Sequence, residues 1–387
     1  MKKNLTMTLL GALAFMAGCT SQPEGVPVTL NVAEKGASVS PSMYGVFFEE
    51  INHAGDGGLY AELVQNRSFE EKEMPEGYHV EHGRLKPAPV KNHLSGQVNH
   101  GASFHWNNEP VRAWSLQPAD EAIATMRLTK EKPMFETAPN NLEVTINKAD
   151  KPVQLINEGY WGMNIEKGQI YTLRVIVRKA PDYTGTITAK LLAKDGKVIG
   201  QTNIDVKQTD AWVDELKVIE PTSSDNEARL ALEFDTTGKV WFDYVSLFPP
   251  TFNSRYNGMR QDVAQCLADL KPAFFRWPGG CVVEGISLSN HFDWKKTLGD
   301  PAARPGEYST WGYRCSYGMG YHIAALHWLA LGCLMSNSCD LSACVQTSRL
   351  RKIPLKYSYT LSAPSAEAPT IFTRRGTRKL SPLSFKA

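Results

Sequence analysis

The chain has 387 residues, room for two or three domains, and 42% hydrophobic residues, an ordinary share for a protein with sizeable cores. Its formal charge of +2 offers no basic surface to a polyanion, so nucleic acid is not expected as a partner. Seven cysteines without a Cys-x-x-Cys pair lack zinc or redox spacing, and neither a metal nor a cofactor is predicted.

Taken in order, Lys2 and Lys3 precede an apolar run, Leu5 to Ala17, that is too short to span a bilayer. Met16-Ala17-Gly18-Cys19 is similar to a bacterial lipobox. Residues 1–19 then form a lipoprotein signal peptide, and Cys19 becomes the lipidated first residue. The expected location is the bacterial cell envelope, periplasmic or outer-membrane surface, with membrane contact through the lipid anchor alone. An ordinary secretory signal with an incidental cysteine is the plainer alternative.

Val28 to Val32 alternates as an edge-type strand. Met43 to Ile51 is a nearly continuous apolar run holding Glu49 and Glu50, the pattern of a buried parallel strand. Neighbouring strand residues point to opposite faces, so only one of these carboxylates can face a given pocket. The functional reading puts one of them on a polar ligand; the bland reading is two solvated charges. Gly55, Gly57 and Gly58 lack a following Gly-Lys-Ser/Thr, which excludes a phosphate loop. Leu59 to Asn66 predicts a short helix. The first segment, 20–67, thus holds an N-terminal strand and the first strand of an α/β unit.

Between 68 and 250 short alternating runs are separated by polar turns, as in Tyr171 to Val177 and Thr186 to Leu192, which predicts a β-sandwich. Trp106, Trp114, Tyr160, Trp161, Trp212 and Trp241 lie in it. An exposed flat aromatic can stack on the C–H face of a sugar; core or edge packing is the plain alternative for each. His79, His82, His93, His100 and His105 lack ligand spacing.

Asn257 to Leu270 predicts a helix with Met259, Val263, Cys266, Leu267 and Leu270 on one stripe, Asn257 as N-cap and Pro272 as stop. Ala273 to Trp277 then reads as a buried strand ended by Pro278-Gly279-Gly280. Proline cannot donate to a ladder, and glycines allow a sharp turn and close ligand approach. In α/β folds sites lie at the C-terminal ends of strands, which is where Arg276 and this turn belong. A long aromatic loop follows through Trp294 and Trp311, and Tyr317 to His322 should open the next helix.

These motifs carry a resemblance. Gly45-Val46-Phe47-Phe48-Glu49-Glu50-Ile51, Gly58 to Arg67, Arg276-Trp277-Pro278-Gly279-Gly280-Cys281 with Glu284-Gly285, and Trp294-Lys295 with Arg304-Pro305-Gly306 resemble the α-L-arabinofuranosidases of glycoside hydrolase family 51. The resemblance covers roughly residues 26–322. It implies α/β plus all-β architecture: a (β/α)8 barrel start interrupted by an inserted β-sandwich that resembles a carbohydrate-binding, galactose-binding-like module. It implies exo-acting, retaining hydrolysis of arabinan or arabinoxylan side chains, so an arabinose-containing glycan is the expected partner. It further implies that Glu49, Arg276, Gly280, Cys281, Trp294 and Trp311 bind substrate. Retaining glycosidases need two carboxyl groups about 5–5.5 Å apart, one acid/base and one nucleophile. By the resemblance both lie beyond the matching stretch, so no catalytic residue is assigned.

Departure from the family begins at Ile323. Residues 323–387 carry nine Lys+Arg against Asp340 and Glu367, whereas the rest holds 33 against 38. Segment 251–322 reads as a partial barrel with about two of eight strands, and 323–387 as an irregular, disordered basic tail of the kind out-of-frame translation produces. A truncated, inactive enzyme is therefore expected. A non-catalytic glycan-binding surface lipoprotein is the rival reading, and a catalytic Glu49–Glu284 pair a third.

Overall fold

The computed structural model describes residues 28–91, 95, 98–99, 102–207, 209–321, 334–337, 371–373 and 376–378. Cys19 lies outside them. The chain divides into two units, Met1–Pro41 and Ser42–Ala387. In the first, the expected strand at Val28 to Val32 is absent. Val28, Leu30 and Val32 are 82–88% exposed. Alternation needs a partner strand to become a ladder, and the described residues of this unit supply none.

In the second unit strands outnumber helices among the described residues. β1 is Val46–Phe47. Five short strands follow: β2 (Tyr78–Glu81), β3 (Arg84–Pro87), β4 (Val90–Lys91), β5 (Val98–Asn99) and β6 (Phe104–His105). Next come β7 (Trp114–Gln117), β8 (Ala124–Thr129), β9 (Asn141–Ile146), β10 (Val153–Asn157), β11 (Met163–Ile165) and β12 (Tyr171–Lys179). β13 (Ile187–Leu192), β14 (Val198–Ile204), β15 (Val213–Ile219), β16 (Asp225–Phe234) and β17 (Gly238–Phe248) complete that run. Later elements are the helix Gln261–Asp269, β18 (Phe274–Trp277), the short helix Cys281–Glu284, β19 (Glu307–Tyr308), β20 (Arg314–Cys315) and β21 (Leu334–Asn337).

Strands β7 to β17 form two sheets. One has the order β14-β13-β16-β10-β7, with β11 also on β16; the other is β15-β12-β17-β9-β8. Both contribute to one core: Leu155, Leu191, Leu230 and Leu232 from the first, Leu142, Val144, Leu173 and Phe242 from the second, all fully buried. The inward positions recur every second residue because side chains alternate across a strand, as in Leu173, Val175 and Val177. Burying such residues, at about 1.5–3 kcal/mol each, is what holds the layers together.

A second assembly is parallel: β1-β18-β21, with Phe47 opposite Arg276 and Arg276 opposite Ser336. Two strand pairings lie within the stretch expected to be an irregular tail. Leu334–Asn337 adds a third parallel strand, and Ile371–Thr373 pairs with Gly376–Arg378 as a hairpin. Leu-Met-Ser-Asn is four residues long and has no alternation to read, so only its pairing with β18 reveals it.

Two local expectations also fail. Leu59 to Asn66 is not a helix. It runs extended beside β17, with Leu63 N–H donating to Leu247 O (3.0 Å) and Val245 N–H to Arg67 O (2.8 Å). Tertiary pairing overrides its local preference. Asn257 is not a cap; the helix starts at Gln261 after Arg260. Asn257 instead sits buried at φ +53°, accepts from Tyr60 Oη and donates to Gly318 O (3.4 Å).

The extended segment joins the two assemblies. Buried Glu62 accepts from Ser246 Oγ (2.6 Å), Leu247 N–H (2.9 Å) and Val64 N–H (3.0 Å). Arg67, 2% exposed, lies over the rings of Tyr60 and Tyr244 and 3.9 Å from Asp56. Removing the Glu62 acceptor leaves two buried N–H groups unpaired, at about 1–3 kcal/mol each. Glu62→Ala should therefore cost about 2–4 kcal/mol in urea unfolding; a loss under about 0.5 kcal/mol would contradict this linkage.

Candidate functional site

The parallel pairing of β1 and β18 continues past β1, since Phe48 N–H donates to Arg276 O (2.9 Å). Glu49 is thereby carried to the turn that ends β18. Gly279 has φ +134°, and a Cβ there would lie 2.4 Å from Glu49 Cβ. Only glycine leaves that space and adopts that backbone. The short helix then turns its Val282 N–H onto Glu49 Oε1 (3.0 Å). The carboxylate is held by the turn itself.

The six residues predicted to bind substrate are placed as follows. Glu49, Gly280 and Cys281 meet at this turn; Gly280 precedes the helix and Cys281, exposed, begins it. Arg276 is exposed on β18, its guanidinium 4.8 Å from the Phe47 ring centre. Trp294 is half-buried against Tyr321, with ring centres 5.4 Å apart, and packs with the cluster of Trp277 and Phe292. Trp311, 39% exposed, lies on the loop between β19 and β20. The structure thus gathers three of the six at one turn, with Arg276 leading into it, and leaves the two tryptophans on other loops. Glu284 is exposed at the far end of the short helix.

Glu50 faces elsewhere. Its Oε1 accepts from Tyr313 Oη (2.9 Å) and its Oε2 from Asp56 N–H (3.1 Å). Burial, and secondarily the charge of Asp56, pushes its carboxyl up to about 8. Sequence reasoning missed Glu307 altogether. It is 6% exposed, accepts from Tyr317 Oη, and burial raises it to about 8 as well. Both line one cavity of about 30 Å³ with Trp277, Cys315 and Tyr317. Perturbed carboxyls in a cavity are candidate catalysts. Here the space suits about one water and is far below the roughly 300 Å³ of a small-molecule pocket. Burial favours the protonated form of each carboxyl, and the two share the lining of this cavity as a pair.

His53, four residues beyond Glu49, closes this side. Its ring stacks on Tyr313 at 4.0 Å, its backbone N–H donates to Tyr313 Oη (3.0 Å), and burial lowers its pKa. Among the described residues no group of three His, Cys, Asp or Glu is arranged to hold a metal ion.

Comparison with known proteins bears directly on this turn. Residues 266–330 match the alpha-L-arabinofuranosidase 1 domain family. Alpha-L-arabinofuranosidases 1 and 2 of Arabidopsis thaliana are 32% and 34% identical, over 74% and 77% of this chain. Alpha-L-arabinofuranosidase A of Aspergillus niger is 29% identical over 81% of it. A solved arabinose-bound GH51 α-L-arabinofuranosidase shares its fold with a TM-score of 0.63 at 28% identity, covering 77% of this chain and 44% of that one.

Over roughly its N-terminal part, the chain is similar to the family 51 α-L-arabinofuranosidases. It covers 38–44% of the length of these curated relatives. The family match runs to residue 330, past His322, so the resemblance extends further than the motifs alone trace it.

The raised carboxyls predict a pH dependence. The folded chain holds these protons more tightly than the unfolded chain, whose carboxyls titrate near 4.5. The stabilising contribution is whole below about 4.5 and is lost as pH climbs through about 8. Glu70, Glu71 and Asp243 shift the same way, to about 7. The thermal midpoint should therefore fall between pH 5 and 9, and Glu307→Gln should shrink that fall by at least about 1.4 kcal/mol, the equivalent of one pKa unit. A midpoint that is flat or rising over this range would contradict the buried, protonated pair.

Proposed function

We propose that the β1-β18-β21 sheet is the start of a (β/α)8 catalytic barrel and that the turn at Gly279-Gly280 binds a terminal α-L-arabinofuranosyl unit. The observation that carries this is the Glu49 carboxylate fixed by Val282 N–H at the C-terminal end of parallel strands, within the family match. A fixed carboxylate is a strong acceptor for sugar hydroxyls. Exposed Cys281 and Arg276 flank it. The whole protein's activity, in this reading, is retaining, exo-acting removal of arabinofuranosyl side chains from arabinan or arabinoxylan.

The described residues supply the binding part of that chemistry. A retaining pair needs a second carboxyl about 5–5.5 Å from the first. Glu50 turns to a cavity too small for a sugar and Glu284 lies exposed at the helix end, so neither is offered as the partner of Glu49. The 387-residue chain is expected to bind arabinose and to leave an aryl arabinofuranoside uncleaved. Glu49→Gln should weaken arabinose binding about tenfold or more, the loss of one charge-assisted hydrogen bond. Equal affinity in the variant, or release of arabinose by the chain, would overturn the assignment.

The same reading places the protein at a bacterial envelope through Cys19, the residue after Met16-Ala17-Gly18. Cys19→Ala should release it from the membrane fraction; unchanged membrane association would argue against the anchor.

A further inference from the structure

Of the six aromatics singled out in the 68–250 region, five are occupied. Trp106 and Trp114 are 7% and 4% exposed, and Tyr160 is half-buried. Trp212 and Trp241 donate to Lys132 O and Glu143 Oε2, and the Arg178 guanidinium lies 5.2 and 3.9 Å from their ring centres. Trp161 differs: it is 75% exposed.

Its exposure is built into the backbone. Trp161 has φ +62°, a conformation that bulky residues rarely adopt, between Gly159 at +65° and Gly162 at +94°. Gly159 N–H donates to Asn157 Oδ1 (2.9 Å) and Gly162 N–H to Glu158 O (3.0 Å), which closes the turn. A Cβ at Gly162 would lie 2.9 Å from Glu227 Cα, so only glycine lets the turn pack this closely on β16. Strained backbone that persists to display a side chain is a pointer to use.

The indole stands on the wall of a groove of about 510 Å³, with His53, Arg112, Glu158, Lys194 and Glu227 among its lining. That volume suits one or two sugar rings. The groove is polar without being a charge trap. Lys194 pairs with Glu227 at 2.7 Å, and Arg112 lies 3.7 Å from Glu71. Donors and acceptors are mixed, as hydroxyl groups require; Lys194 and Arg112 carry counter-charges, and Arg229 also lines the groove. The groove abuts the Glu50 side of the strand end. His53 meets Trp161 edge-on at 5.6 Å and stacks on Tyr313, whose Oη bonds Glu50, the neighbour of Glu49.

We infer that this groove is a second sugar subsite, in which a ring of the same neutral glycan stacks on Trp161 and the turn and the strand region grip one chain together. Only the identity of the glycan rests on the proposed function. The mechanism is contact between an aromatic face and sugar C–H groups, and its loss is expected to cost roughly tenfold in affinity.

The test measures, by calorimetry on the full chain, the binding of free arabinose and of soluble arabinan and arabinoxylan oligosaccharides. Wild type is compared with Trp161→Ala, Trp161→Phe and Glu49→Gln. Trp161→Ala should lose about tenfold affinity for an oligosaccharide while binding arabinose as wild type does, and Trp161→Phe should recover part of the loss. Thermal midpoints of both variants establish that each is folded, and the phenylalanine variant carries the test if the alanine variant is not. Trp161-dependent oligosaccharide binding without any arabinose binding would uphold the groove and remove the reading of Glu49. Unchanged oligosaccharide affinity in a folded Trp161→Ala chain, or no oligosaccharide binding by wild type, would overturn the inference.

Discussion

The Glu49 side chain occupies the space that any side chain at position 279 would need. That exclusion couples the end of β1 to two features more than two hundred residues later in sequence: the glycine turn after β18 and the first turn of the Cys281–Glu284 helix. Parallel pairing sets the height of Glu49, the missing Cβ lets it close on the turn, and the Val282 N–H fixes its carboxylate. A side chain at 279 would force either the carboxylate away or the strands apart.

The neighbouring carboxyl shows what alternation does with the same residue type. Glu49 is held beside an exposed cysteine at a strand mouth. Glu50 turns to a small cavity that Glu307 also lines, where burial favours its protonated form. One peptide bond separates an acceptor suited to a ligand from a neutral group suited to an interior. The segment that follows, through Glu62 and Arg67, fastens this strand region onto β17, so the sheets behind it brace the turn.

Much of this was legible in the chain. Period-two alternation predicted the stacked sheets, and the Phe-Phe-Arg-Trp-Pro-Gly-Gly run marked the strand, its abrupt end and the close approach at glycine. Glu49 and Glu50 do diverge, although the buried strand expected over Met43 to Ile51 is only Val46–Phe47 and both carboxyls lie beyond it. What escaped was non-local. Leu59 to Asn66 has ordinary helical composition and is instead taken up by bonds to distant backbone, Ala61 N–H to Gly258 O and Leu63 N–H to Leu247 O among them. Asn257 has the chemistry of a cap and is taken instead by Tyr60 and Gly318. Glu307 gave no signal, because its burial depends on Tyr317 and on a cavity wall assembled from distant loops. The strand at Leu334–Asn337 is visible only through its partner. Which of six aromatics stays open was likewise decided by backbone turns and by Arg178, not by composition.

The most direct measurement is a crystal structure of the chain with arabinose bound. The account predicts the pentose at the C-terminal end of β18, with a hydroxyl donating to the Glu49 carboxylate and Gly280-Cys281 against the ring. A sugar bound elsewhere on the molecule, with Glu49 untouched, would contradict it.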